Sequence, residues 1–155
     1  MASPTTTTTP PPASSGGGTN LDDLIKSMNP TLEAEEYVFA ELSLEAPHFA
    51  EFLGAVSKDV KMLFREKEAW TIILPKSAAD REGLYYTFPC RQITLNVHSS
   101  LEAVGFLAAI TTRLAERVDI GVNTISGYYH DHLFVPVGKE DAVMEELLSL
   151  AAEKA

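Results

Sequence analysis

Basic residues are scarce in this chain. Twelve lysines and arginines stand against 22 aspartates and glutamates, giving a formal charge of -10 over 155 residues. No stretch gathers the Lys and Arg that a phosphate backbone or an anionic lipid surface draws on, so neither nucleic acid nor membrane is an expected partner. The single cysteine, Cys90, excludes an intrachain disulfide and a thiolate metal cage. No apolar run approaches the roughly 20 residues that span a bilayer. The start of the chain lacks the basic and apolar segments of a secretory signal, its first charged residue being Asp22. A cytoplasmic location is therefore expected.

Residues 1–19 read MASPTTTTTPPPASSGGGT. They offer almost no apolar side chain to bury, which predicts a solvated, disordered tail. The Pro10-Pro11-Pro12 run leaves an extended docking ligand as the alternative.

From Asn20 onward the pattern is that of an α+β protein. Leu21, Leu24, Ile25 and Met28 recur at helical spacing, with Asn20 placed to cap the start and Pro30 to end the run. Residues 37–42 are strand-like in their β-branched and aromatic content. Phe49, Phe52, Leu53 and Val56 share a helical stripe after Pro47. Residues 60–64 fit either a strand or a continued helix; a strand is the reading adopted, hairpinned onto residues 70–74. A short helix over 76–82 ends where Gly83 suits a left-handed cap.

The second half repeats this order. Ile93, Leu95 and Val97 alternate with polar residues as in a half-buried strand. Ser99 and Glu102 stand at the spacing of a capping box and predict a helix beginning there, with a buried stripe of Ala103, Phe106 or Leu107, Ile110, Leu114 and Val118. Strands over 122–129 and 133–137 are expected to turn at His130-Asp131, and a last helix spans 139–154. Residues 20–89 and 90–155 thus form two units of the same element order behind the 1–19 tail. The second ends without its final strand, so one from elsewhere is expected to complete it.

Several residues admit a chemical and a structural reading. His130, Asp131 and His132, with remote His98, could form a metal site. Alternation fails at a turn, however, so Asp131 bonding nearby backbone amides is the competing account. Ser99 and Ser100 beside His98 lack the Gly-x-Ser-x-Gly elbow, and capping explains them without nucleophilic catalysis. Cys90 reads as an inert, half-buried thiol. Trp70 reads as core or interface packing, and Gly127 as a bulge or a close backbone approach.

The segments VHSSLEAVGFLAA and NTISGYYHDHLFVPV resemble ACT-domain proteins, in particular the small stand-alone tandem-ACT proteins of bacteria and fungi. Leu21-Asp22-Asp23-Leu24, Tyr37-Val38-Phe39 and Arg65-Glu66 add to the match. The chain departs from the pattern at Glu68-Ala69-Trp70 and at Val118-Asp119-Ile120-Gly121. The resemblance implies two ferredoxin-like βαββαβ units in tandem, with antiparallel sheets and helices on one face. It also implies a ligand held between units by the loop after the first strand and by a facing strand. Here that loop is His98, Ser99, Ser100, Leu101 and Glu102, with Val104 and Gly105 opening the helix; the facing strand offers Asn123, Thr124 and Ser126.

A helix N-terminus suits a carboxylate, and Glu102 could hold an ammonium group, although a Glu102 that capped its own helix would repel the ligand's carboxylate. The expected function is non-catalytic binding of a small molecule, in the first instance a free amino acid, by a regulatory protein without a cofactor. The alternatives are an assembly module, as a homodimer or with a regulated protein partner, and a metal-dependent enzyme using the His-Asp-His turn.

Overall fold

The computed structural model describes residues 17–155; the tail expectation for residues 1–16 lies outside them. The elements run α1 (Leu21–Ser27), β1 (Pro30–Leu42), α2 (Phe49–Val56), β2 (Met62–Arg65), β3 (Trp70–Pro75), α3 (Lys76–Arg81), β4 (Tyr86–Leu95), α4 (Phe106–Val118), β5 (Asn123–Ser126), β6 (Asp131–Pro136) and α5 (Glu140–Glu153).

Local chemistry explains most boundaries. The Asn20 side chain accepts from the Asp23 amide at 3.0 Å and so caps α1. Proline opens β1, where no preceding helical turn can continue through it. Gly83, at φ +65°, ends α3 in the left-handed conformation that only glycine adopts freely. Asp119, at φ +53°, takes the same role after α4, where no glycine is available.

All strands lie in one antiparallel sheet of order β2-β3-β1-β4-β6-β5. Read from one edge, β2-β3-β1-β4 has the order of a ferredoxin-like unit whose fourth strand is β4. Read from the other edge, β5-β6-β4-β1 has the same order, with β4 now first and β1 fourth. The two central strands therefore belong to both units. This supplies the strand expected from elsewhere: it is β1, at 13 residues the longest in the sheet. The boundary drawn between Pro89 and Cys90 falls inside β4.

Strand alternation assigns the faces. Val38, Ala40, Ile72 and Leu74 pack against α2 and α3, while Ile93, Leu95, Leu133 and Val135 pack against α1, α4 and α5. The register pairs Tyr37 with Cys90, so both groups point the same way and the five helices of the described residues share one face. The opposite face carries Tyr37, Ile73, Cys90 and Phe134, whose aromatic members meet edge-on. Beside them, Gln92 and Thr94 are buried (5% and 7% exposed) and bond each other and His132 Nδ1 over 3.0–3.2 Å. At the end of the fold, Lys154 Nζ meets Asp22 Oδ1 at 2.8 Å, bringing the last turn of α5 onto the first turn of α1.

Two expectations require correction. The helix expected at Ser99 begins only at Phe106, because residues 99–104 form a loop and Gly105, at φ +90°, is the N-cap. The second hairpin turns over residues 127–130, so Asp131 is not a turn residue but the first residue of β6.

Candidate functional site

The late start of α4 leaves the 96–105 loop standing over the end of the sheet. Gly105 has no side chain to cap the helix, and among the described residues none other does so. The first intrahelical bond is Ala109 N–H to Gly105 C=O, at 2.8 Å. The amides before it have no carbonyl one turn back to bond, and they carry the positive end of the helix dipole.

Facing this turn is Asp131. Its position in register opposite Leu95 and Ser126 turns its side chain to the helix-bearing face, where it is 7% exposed. The Ser99 hydroxyl donates to Asp131 Oδ2 at 2.9 Å and the Ser126 hydroxyl to Oδ1 at 2.6 Å. Two short hydroxyl bonds hold the carboxylate while leaving each oxygen further acceptor capacity. Between helix turn and carboxylate lies a cleft of about 170 Å³, lined by Ser99, Ser100, Leu101, Gly105, Ser126 and Asp131, with the first residues of α4.

Of the residues singled out in the sequence, Ser99, Ser100, Leu101, Gly105 and Ser126 line this cleft. His98 and Glu102 line an adjoining one of about 330 Å³, together with Gly17 and Tyr128. Val104 points to solvent at 85% exposure, and Asn123 and Thr124 are exposed on β5 outside both clefts. Glu102 does not form a capping box; its amide instead donates to Ser100 Oγ at 3.2 Å. The tension over a carboxylate crowding the anion position therefore does not arise.

The acidic group at the cleft is Asp131, which the sequence reading assigned to a turn. The signal that could have found it is its alternation with Leu133 and Val135, which places it on the buried face.

The histidines are not gathered into one centre. His132 belongs to the Gln92–Thr94 cluster on the other face, and His130 Nδ1 lies 3.4 Å from the Val97 carbonyl. Among the described residues, no group of three His, Cys, Asp or Glu side chains could hold a metal ion. Cys90 is buried, and desolvation pushes its thiol up to about 12, so a thiolate is not formed near neutrality.

The loop is held from outside as well. Gly18 N–H donates to the His98 carbonyl at 2.9 Å and the Ser100 amide donates to the Gly18 carbonyl at 3.1 Å, a parallel bridge. Order thus begins before Asn20. A Cβ at Gly17 would lie 2.5–2.6 Å from backbone atoms of residues 98–100, so only glycine can approach this closely.

Comparison with known proteins matches two successive ACT-domain profiles to the chain, at residues 16–91 and 87–149. The chain belongs to the ACT-domain family. The two matches overlap within β4, the strand that both ACT units use. A Vibrio cholerae protein of unknown function, described as a possible transport protein, is 38% identical; the alignment covers 84% of this chain and 95% of that one, with a TM-score of 0.72. Two aspartate kinase structures share the fold at lower identity. Escherichia coli aspartokinase III in complex with aspartate and ADP is 14% identical, covers 78% of this chain and 32% of its own, and has a TM-score of 0.59. The ligand-free regulatory subunit of the Thermus thermophilus enzyme is 9% identical, covers 79% and 97%, and also scores 0.59. No curated protein matches the chain. ACT domains are regulatory, ligand-binding modules and typically non-catalytic. No helix among the described residues of this ACT protein is long and apolar enough to cross a membrane.

Proposed function

We propose that this ACT protein is a non-catalytic regulatory protein of the cytoplasm that binds a free amino acid in the cleft of its C-terminal unit. One observation carries the reading: the cleft has an uncapped helix N-terminus on one wall and the buried Asp131 carboxylate on the other. A ligand carboxylate would bond the first-turn amides of α4, and its ammonium would sit against Asp131. Both ends of a zwitterion are thereby matched, and Leu101, Ala103 and Leu107 are left to meet a side chain. Aspartokinase III, crystallised with aspartate and ADP, carries this fold over 32% of its chain, which links the fold to an enzyme that handles an amino acid. Binding would change the setting of the 96–105 loop, and with it any partner that reads that surface.

The test is thermal denaturation with each of the twenty amino acids. A ligand at 100 times its Kd adds about 2.7 kcal/mol of stability, and Asp131→Asn should remove most of the shift. A flat response to all twenty would sink the proposal.

A second reading, an assembly module, is favoured by the apolar side chains around the clefts. Leu101, Val104, Tyr128 and Tyr129 are 70%, 85%, 66% and 58% exposed, and exposed apolar groups of this size gathered together mark association surfaces. A homodimer or a regulated protein partner would cover them. Sedimentation at two concentrations separates the readings, since assembly through this surface would be lost in Tyr128→Ser and Val104→Ser without any amino acid present.

A further inference from the structure

We infer that each chain has a single ligand cleft, because the position equivalent to it in the N-terminal unit is filled by the stacked side chains of Phe49 and Trp70. The inference rests on the amino-acid reading above and deepens it by setting the number of sites. The two units can be superposed by register alone. β6 begins at Asp131, which pairs with Ser126 on one side and Leu95 on the other; β3 begins at Trp70, which pairs with Arg65 and Leu42 in the same relation. α4 begins at Phe106 after a residue of positive φ, Gly105; α2 begins at Phe49 after His48, at φ +60°. Trp70 therefore stands where Asp131 stands, Arg65 where Ser126 stands, and Phe49 where Phe106 stands.

Both helices start without a side-chain cap, and the difference lies in the groups that face them. In the C-terminal unit two hydroxyls hold a carboxylate. In the N-terminal unit the Trp70 indole lies against the Phe49 ring, with centroids 5.2 Å apart and planes inclined by 21°, and the Arg65 guanidinium covers the indole at 5.7 Å. An ammonium group meets an indole where Asp131 would stand, with the Arg65 cation close by, and Glu51 of the first α2 turn is paired with His48 at 3.0 Å. The connection is also shorter, residues 43–48 against 96–105, which leaves less loop to arch over a ligand. Burial of two aromatic faces holds the plug in place.

The experiment uses the full chain. Equilibrium dialysis with each labelled amino acid should saturate at one per chain, and Asp131→Asn should abolish it. A plateau of two, or a site that keeps its native affinity in that variant, would overturn the inference. The plug is tested independently with 3-methylindole as probe. Trp70→Gly should gain thermal stability from it while the native chain does not, because a cavity of matching shape is refilled. Phe49→Ala with toluene repeats the test should Trp70→Gly fail to fold. No stabilisation in either folded variant would show that the side chains do not fill a discrete niche. A chain that binds no amino acid but passes the probe test would lose the proposed function and keep the plug.

Discussion

At the scale of single residues, burial and hydrogen bonding decide what each group can do. Asp131 is the anchor for Ser99 and Ser126, and Asp131→Ala strands both hydroxyls. A stability loss of about 1–3 kcal/mol is expected, read as a lowered urea midpoint, along with loss of the amino-acid response.

His132 shows the opposite electrostatic situation. Burial first, and His130 next to it, hold its imidazole below the ordinary value, against weaker pulls from Asp131 and Glu33. The unfolded chain, with a histidine near 6.5, takes up the proton more readily than the folded one. This contribution to stability is thus fully present above about pH 7, and it declines as pH falls through 6.5 toward the lower folded value. Urea midpoints at pH 7.5 and 5.5 should differ in that sense, and His132→Gln should shrink the difference.

Gly17 gives a steric prediction. Gly17→Ala should push the 98–100 backbone away from Gly18, and hydrogen exchange at the Ser100 amide should accelerate. Unchanged protection at Ser100 would contradict the close approach described above.

Elements were readable where a side-chain pattern and a backbone requirement coincide. Asn20 and Pro30 mark the two ends of α1 and Gly83 the end of α3, whereas the strand expected over 37–42 begins already at Pro30. Of the stripe expected on α4, Ile110 and Leu114 are buried, and Phe106 rather than Leu107 completes it. The start of α4 was not readable. Ser99 and Glu102 satisfy a local rule for capping, yet Ser99 is recruited by Asp131, 32 residues away, and a positive-φ glycine at 105 sets the true start. Asp131 was misplaced for a related reason: Ser126 is five residues away, but Ser99 is 32 away, and only the fold brings the two hydroxyls together on one carboxylate. The candidate loop could be located from its motif; alternation with Leu133 and Val135 carries the face of Asp131, whereas its meeting with Ser99 depends on the fold.

At this scale Gly105→Ala should cost about 1–2 kcal/mol, the penalty of a Cβ in left-handed backbone. Circular dichroism should show it as a lower melting temperature. Ile110→Ala should cost more, about 2–5 kcal/mol, because it empties part of the buried core.

For the molecule as a whole, the sharing of β1 and β4 is the governing fact. Neither ACT unit has a complete sheet without a strand that also belongs to the other, so the two should unfold together. Trp70, the single tryptophan, reports on the N-terminal unit, and far-ultraviolet circular dichroism reports on both. Their urea transitions should coincide. A fragment of residues 20–89 ends inside β4 and should fail to give a cooperative transition. Two separated transitions in the full chain would refute the coupling.

The meeting of Lys154 with Asp22 has an engineering consequence. Because the folded chain closes nearly into a ring, a short linker from residue 155 to residue 20, with new ends opened in the exposed bend at residues 66–69, yields a circular permutant. In that permutant the strand completing the C-terminal unit follows α5 and α1 directly along the polypeptide. If such a reordered chain reaches the same architecture, the present connectivity is one of at least two routes to a single sheet.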